Sequence, residues 1–480
     1  MNSSSPRPPS RTSFLLLGNL IQLIILVFCT PLLINSLGLG KFALITIVFA
    51  IIGLSQVLNF GLSKSLTLEM VREGEVAGGI NPWNLIANAL VFQSCVGLIA
   101  GFIGFHSSSQ IANLFGQSDG DAIIAIKISS VLVPIALLSS VFRGALEAKS
   151  RFLGLSVLET ATASLTYLVP LSVILSGGVF SDAVISIVFV RVLALTFSAA
   201  LTRKAVGKII NFWPERSSLK RMLQFGTWVA VTDLVLAIYA FTDRLLIGIF
   251  IGLNQFAIYS IIQDAVSKLW FIPGSISRVL FADASALSLS NSKSLKLFLD
   301  RANRLIYQVT LPVFGMASLY SNEIIYLWLG EQISKSSHGL FQIFIIGLGL
   351  NSISIVKSTF LYGQGFSAQR TRLHLIEIPV FLIALAALIP MFGTSGAAIA
   401  WSLRILSTNL GISFAFRKKI GMTSGTAPQI SNGRYLDFFL FLTIVAIGLI
   451  EGFWFKTLLV LPILTVMVYK LFRSYKKDQS

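Results

Sequence analysis

The sequence predicts an all-α integral membrane protein of about 14 transmembrane helices, built as two six-helix lobes in a pseudo-two-fold arrangement plus two C-terminal helices. Three observations predict it. Of the 480 residues, 55% are hydrophobic and 12% charged, with a mean hydropathy of +0.82; a soluble domain carries about 25% charged residues. The apolar residues come in runs of the roughly 20 residues that a helix needs to cross a bilayer core. The basic residues fall into alternate loops between those runs.

The elements follow in order. Residues 1–13 (MNSSSPRPPSRTS) are polar and Pro/Ser-rich and read as a cytoplasmic tail without a packed core. The run at 14–35 is too long for a signal-peptide core and lacks a small-x-small cleavage site, so it is the first span. The second, 42–62, is interrupted by Gln56 and Asn59; spans at 83–105, 122–142, 153–176 and 181–201 complete a first lobe within 14–210. Spans at 223–250 and 255–281 form a hairpin turning near residue 253, and 304–329, 339–361, 373–392 and 395–416 complete a second lobe within 211–420. The last two, 435–453 and 456–472, lie within 430–473 and leave a short tail at 474–480. Pro134, Pro170, Pro273 with Gly274, Pro312 and Pro379 lie inside spans, where a missing N–H can break a helix.

Charge sets the orientation. Assigning loops alternately to two sides places 28 Lys and Arg on the side of both termini and three on the other: Lys41, Lys335 and Lys456. Cytoplasmic loops carry such an excess, so both termini are expected in the cytoplasm. Cys29 and Cys95 each sit in an apolar run and read as packing residues, and His106, His338 and His374 show no metal-ligand spacing.

A repeat underlies the two lobes. Residues 37–66 align without gaps on 251–280 at an offset of 214, matching Gly38 with Gly252, Phe42 with Phe256, Ala43 with Ala257, Ile47 with Ile261 and Ser63 with Ser277. At an offset of 215, Gly178 and Ala183 match Gly393 and Ala398. Parallel repeats about an axis along the membrane normal are a common transporter plan, with the site between the halves near the midplane.

Six cations lie four or more residues inside the spans: Lys127, Arg191, Arg244, Lys268, Lys357 and Arg404. A mid-bilayer charge costs roughly 2.5–3.5 kcal/mol on insertion scales, so such residues face water or a partner and mark substrate paths. Arg191 and Arg404 lie about ten residues into their helices. Arg244 and Lys268 lie on the 223–281 hairpin, where Arg244 can pair with Asp264 and Asp243 with Lys268, as a structural clamp, a substrate site or both. Lys127 and Lys357 are near helix ends and can snorkel. Asp233 shares a helical face with Arg244, as a coupling site for a proton or sodium or as a residue lining water. The excess of base suits an anionic cargo. Asn19, Gln22, Asn59, Gln93, Tyr239, Gln263, Trp270 and Asn351 are polar residues inside spans, able to bond a hydroxyl-bearing cargo or a neighbouring helix.

The segments GLGKFALITIVFAIIGLSQVLNFGLSKSL (38–66), TDRLLIGIFIGLNQFAIYSI (242–261) and GTSGAAIAWSL (393–403) resemble the Wzx-type O-antigen and exopolysaccharide flippases. These belong to the multidrug/oligosaccharidyl-lipid/polysaccharide exporter superfamily, with the lipid II flippases and the MATE drug extruders. The resemblance spans nearly the whole chain, through loose motifs. It implies a two-lobe carrier that moves a polyprenyl-pyrophosphate-linked oligosaccharide across the bacterial plasma membrane by alternating access, with membrane lipids as partners and no cofactor. Asp243 and Arg244 are the residues it carries over.

Other classes fit less well. No G-x-x-x-x-G-K-[ST] motif is present to drive a nucleotide pump. The longest outer loop, 106–121, is short for an enzyme acting on lipid-linked sugars, and its Asp119-Gly120-Asp121 reads as a solvated turn. The basic residues are spread over short segments and not gathered in a nucleic-acid-binding domain. A MATE-like cation-coupled antiporter of small organic compounds is the alternative, and it calls for an acidic lumen.

Overall fold

A computed structural model describes residues 10–74, 81–207, 213–286, 299, 302, 306–363, 367–424, 443–445, 447, 456–460 and 462. The chain is all-α: no strand occurs among the described residues. Helices run in the order α1 (Ser10–Leu37), α2 (Leu39–Ser55), α3 (Leu62–Gly74), α4 (Pro82–His106), α5 (Ser108–Leu114), α6 (Gly120–Ala148), α7 (Phe152–Leu175) and α8 (Phe180–Val206). Then follow α9 (Arg216–Phe250), α10 (Leu253–Leu269), α11 (Phe271–Ala286), α12 (Leu311–Leu319), α13 (Ser321–Leu329), α14 (Glu331–Gly363) and α15 (Ser367–Ser424), the last broken at Gly393 (φ 59°). Contacts divide the chain into two compact units, 1–260 and 261–480.

Eight segments among the described residues are long and apolar enough to cross a membrane, so the protein is multi-pass. They correspond to the first six predicted spans, the tenth, and the eleventh and twelfth fused across Gly393. The other described helices fail that test because they carry the charges or are broken. Asp233, Asp243 and Arg244 all lie on α9. The predicted spans 255–281 and 304–329 are each interrupted, the first between α10 and α11 and the second at Tyr320. The two C-terminal spans lie largely outside the described residues.

Proline chemistry places the interruptions. Pro273 has no N–H and clashes with the carbonyl four residues back, which is Leu269, where α10 stops. Trp270 instead donates to the Ser267 carbonyl at 3.2 Å. Pro312 follows a π-turn over Ile306–Thr310, a widening that accommodates its ring. In span two, α2 passes through a 3₁₀ turn at Gln56–Asn59 into the left-handed Phe60 (φ 49°) and Gly61 (φ 66°). Asn59 there accepts from the Ser63 amide at 3.3 Å and from Gln93 Nε2 at 3.0 Å, so these two sugar-bonding candidates bond each other.

In the first unit, α4 and α6 pack through glycines. A Cβ at Gly97 would lie 2.7 Å from Pro134 Cα, and one at Gly101 would lie 2.7 Å from the Ser130 carbonyl oxygen. This Gly-x-x-x-Gly ridge lets backbones approach where lipid supplies no hydrophobic drive for helix association. Leu62, Leu66, Met70, Trp83, Ile86, Val141 and Met222 form a buried cluster beside it. Asn88 ties down the approach to α9, donating to the Glu215 carbonyl (3.1 Å) and accepting from its amide (2.8 Å). In the second unit the core gathers Leu280, Ile306, Val356, Phe360, Ile412 and Phe416. Phe102, Phe189 and Phe197 in the first unit and Ile383 and Phe414 in the second are more than 60% exposed, as lipid-facing residues are.

Candidate functional site

Helices α1, α6, α7 and α8 carry polar residues at helical spacing on otherwise apolar segments: Asn19 and Gln22; Ser139 and Arg143; Glu159 and Thr162; Arg191 and Ser198. Residues three, four or seven apart share one face of a helix. The fold turns these four faces toward each other, and with Gln56 they line a cavity of about 350 Å³ inside the first unit. Burying the polar stripes together spares each helix the cost of presenting them to lipid.

The charges in this cavity are two guanidinium groups and one carboxylate. Arg143 Nε pairs with Glu159 Oε1 at 3.0 Å, joining α6 to α7. Arg191 makes no hydrogen bond or ion pair among the described residues, and its Nε is buried without a partner. One cationic fork is therefore neutralised and one is available to an anion, in a setting where low dielectric strengthens such pairing. A second cavity of about 670 Å³ lies at the adjoining ends of α6, α7 and α8, lined by Arg151, Lys204 and Glu147 and sharing Arg143, Leu155 and Glu159 with the first.

Of the residues singled out from sequence, Arg191, Asn19 and Gln22 reach the inner cavity. Asp233 pairs with Lys64 at 2.7 Å, joining α9 to α3. Asp243 is fully buried and accepts from Tyr259 Oη at 2.7 Å and from the Arg244 amide at 2.8 Å. Tyr259, which charge counting passed over, thus joins α10 to Asp243 on α9. The Arg244 guanidinium lies over the Phe241 ring at 6.0 Å, and that ring packs against Gly53 of α2. Asp264 and Lys268 are one turn apart on α10. Arg404 lies 5.8 Å over Phe381. One turn from Arg404, Thr408 donates to Glu377 Oε2 at 2.9 Å, and His374 Nδ1 lies 3.1 Å from the same oxygen.

Two site residues escaped the sequence reading. Arg143 falls one residue past the predicted end of span four and so counts among the loop cations. Glu377 falls four residues into span eleven, and it is 5% exposed. The signal for Arg143 is its four-residue spacing from Ser139 on the polar face of α6.

Comparison with known proteins agrees with this architecture. The chain is 25% identical over 395 residues to the "Putative O-antigen transporter" of Shigella flexneri, covering 82% of this chain and 93% of that one. Among solved structures it matches a lipid II flippase, MurJ, in an inward closed conformation, with a TM-score of 0.72 at 14% identity over 96% and 98% of the two chains. It also matches an inward-facing multidrug resistance MATE transporter of the MOP superfamily, with a TM-score of 0.66 at 16% identity over 85% and 96%. These two structural matches speak for the fold. A family profile described as "Polysaccharide biosynthesis protein" matches residues 37–338, more than half of the chain, and the chain belongs to that polysaccharide biosynthesis family.

Proposed function

We propose that this protein is a flippase that moves a polyprenyl-pyrophosphate-linked oligosaccharide across a bacterial inner membrane, with fourteen spans, both termini in the cytoplasm and no catalytic step of its own. The observation that carries the reading is Arg191, an Arg fork without a protein partner in a polar cavity inside a membrane unit. A pyrophosphate must shed water to enter such a space, and a guanidinium returns those hydrogen bonds in bidentate form. Asn19, Gln22 and Gln56 add amide groups suited to sugar hydroxyls. Membership of a polysaccharide biosynthesis family and similarity to an O-antigen transporter support the same cargo. Arg244, Lys268 and Arg404 are proposed as further headgroup contacts. Asp233, Asp243 and Asp264 are proposed as ion-pair or coupling residues, with a proton or sodium as the coupling ion. The repeat supports lobes at 14–210 and 211–420.

A MATE-like exporter of organic cations would want net acid at its site, and this cavity holds two Arg against one Glu. The test is flipping of a fluorescent polyprenyl-pyrophosphate-linked sugar in proteoliposomes. A hydrogen bond to a charged group is worth about 1.5–3 kcal/mol, so Arg191→Ala should slow flipping about tenfold to a hundredfold, and Arg191→Lys should restore part of it. Parent protein that leaves this lipid unmoved while exporting an organic cation would overturn the reading.

A further inference from the structure

We propose that the Arg143–Glu159 ion pair is a gate between the two cavities of the first unit, and that an incoming phosphate opens it by taking the carboxylate's place on Arg143. The proposal rests on the flippase reading and names how the entrance to that site is regulated.

The geometry points to it in three ways. First, Arg143, Leu155 and Glu159 alone among the described residues line both cavities, so the pair stands at their common boundary. Second, cations occur in series. The outer cavity carries Lys204 and Arg151, the boundary carries Arg143, and the inner cavity carries Arg191. Lys204 and Arg191 are thirteen residues apart on α8, about 20 Å along its axis, and Arg143 lines the space at both levels. Third, the pair is built to exchange. It is made through Nε alone, and the two Nη groups of Arg143 have no hydrogen-bond partner among the described residues. The side chains of Arg143 and Glu159 are 50% and 40% exposed, and ion pairs that accessible are weak.

A phosphate reaching Arg143 brings more charge than a carboxylate and can take two parallel N–H donors. It then competes with Glu159 for the guanidinium. Once displaced, Glu159 no longer bridges α6 to α7, and the headgroup can pass from Arg143 to Arg191. When the cargo leaves, the carboxylate returns and closes the boundary. Glu159 thus acts as a resident stand-in for the headgroup.

Thiol accessibility tests this on purified protein with Cys29 and Cys95 replaced by alanine. Ser139→Cys reports the inner cavity, and Ser150→Cys reports the outer one. An uncharged maleimide keeps the probe from responding to charge. Losing an exposed ion pair should shift the open population about two- to fivefold, so Glu159→Gln and Arg143→Gln should each speed labelling at residue 139 by that factor. The rate at residue 150 should not change. The swap of Arg143→Glu with Glu159→Arg should return the rate at 139 to that of the parent. Inorganic pyrophosphate should bind the Glu159→Gln protein more tightly than the parent, because its competitor has gone. Equal labelling in parent and single variants, acceleration at both 139 and 150, or unchanged pyrophosphate affinity would each overturn the gate. The labelling needs no lipid cargo: flipping by the parent with flat labelling would remove the gate alone, and gated labelling without flipping would remove the cargo assignment alone.

Discussion

Asp243 shows how much one buried charge demands of its surroundings. It is fully buried, and its carboxylate takes donors from Tyr259 Oη and the Arg244 amide. The tyrosine lies on α10, so this hydrogen bond closes the α9–α10 hairpin across Gly252, whose φ of 125° makes the turn. Tyr259→Phe leaves the carboxylate one donor short inside the fold, which costs about 1.5–3 kcal/mol for a hydrogen bond to a charged group. We expect a lowered melting temperature in detergent for Tyr259→Phe. Asp243→Asn should be milder, because the amide oxygen can still accept from the Arg244 amide while Nδ2 donates to the Tyr259 hydroxyl oxygen. Equal stability of Tyr259→Phe and the parent would show that the hydroxyl contributes nothing. Asp233 is a contrasting case: paired with Lys64 at 2.7 Å, it serves the contact between α9 and α3, whatever further coupling role it has.

Among the elements, α4 and α6 make a contact that depends on residue size. The Gly101 position faces a backbone carbonyl, which cannot rotate aside as a side-chain tip can. Gly101→Val therefore has to push the helices apart, and overpacking of this kind costs about 1–3 kcal/mol or more. The expected outcome is less folded protein in the membrane and a lower melting temperature. Gly154→Ala is the matched control: its added Cβ would meet nothing nearer than Leu201 Cδ1 at 3.9 Å and should be neutral. The element boundaries were legible to the extent that glycine and proline write them. Gly38, Gly252 and Gly393 each have positive φ at a helix start or break. The π-turn before Pro312 was not legible, since the ring states only that the helix must adjust and the packing chooses how.

For the whole molecule, the ion pairs bear on the alternation of loops. Lys41 pairs with Asp121 at 3.1 Å, and the loop alternation assigns both to the side opposite the termini. Arg221 pairs with Glu69 at 3.5 Å, and the alternation assigns both to the side of the termini. In the second unit Lys456, assigned to the opposite side, lies 3.8 Å from Glu323, six residues from the end of predicted span 304–329. The first two pairs join residues that the alternation puts on one side. Reporter fusions after Gly178 and Gly252 should therefore read outside, and fusions after Lys149 and Lys419 inside; a reversed signal at any one would overturn the span assignment there. The contact division at 260/261 and the repeat boundary at 210/211 use different criteria. Packing groups α9 with the helices it touches, whereas the proposed repeat would group it with those whose sequence pattern it shares.

The sequence by itself determined the class, an all-α membrane protein, and its multi-pass character. These depend on the length and polarity of each run and on loop charge, which are local quantities. It also showed that Arg191 needs a polar surrounding, because a lone cation in an apolar helix has nowhere else to go. Only the tertiary structure decided what that surrounding is. Arg143 and Glu159 lie on different helices, and neither has a sequence neighbour that reveals the other; whether they meet depends on the rotation and depth of α6 against α7. The same holds for Tyr259 and Asp243 and for Glu377 and Thr408. Pairing across helices depends on how those helices are packed, and composition along one helix does not contain that.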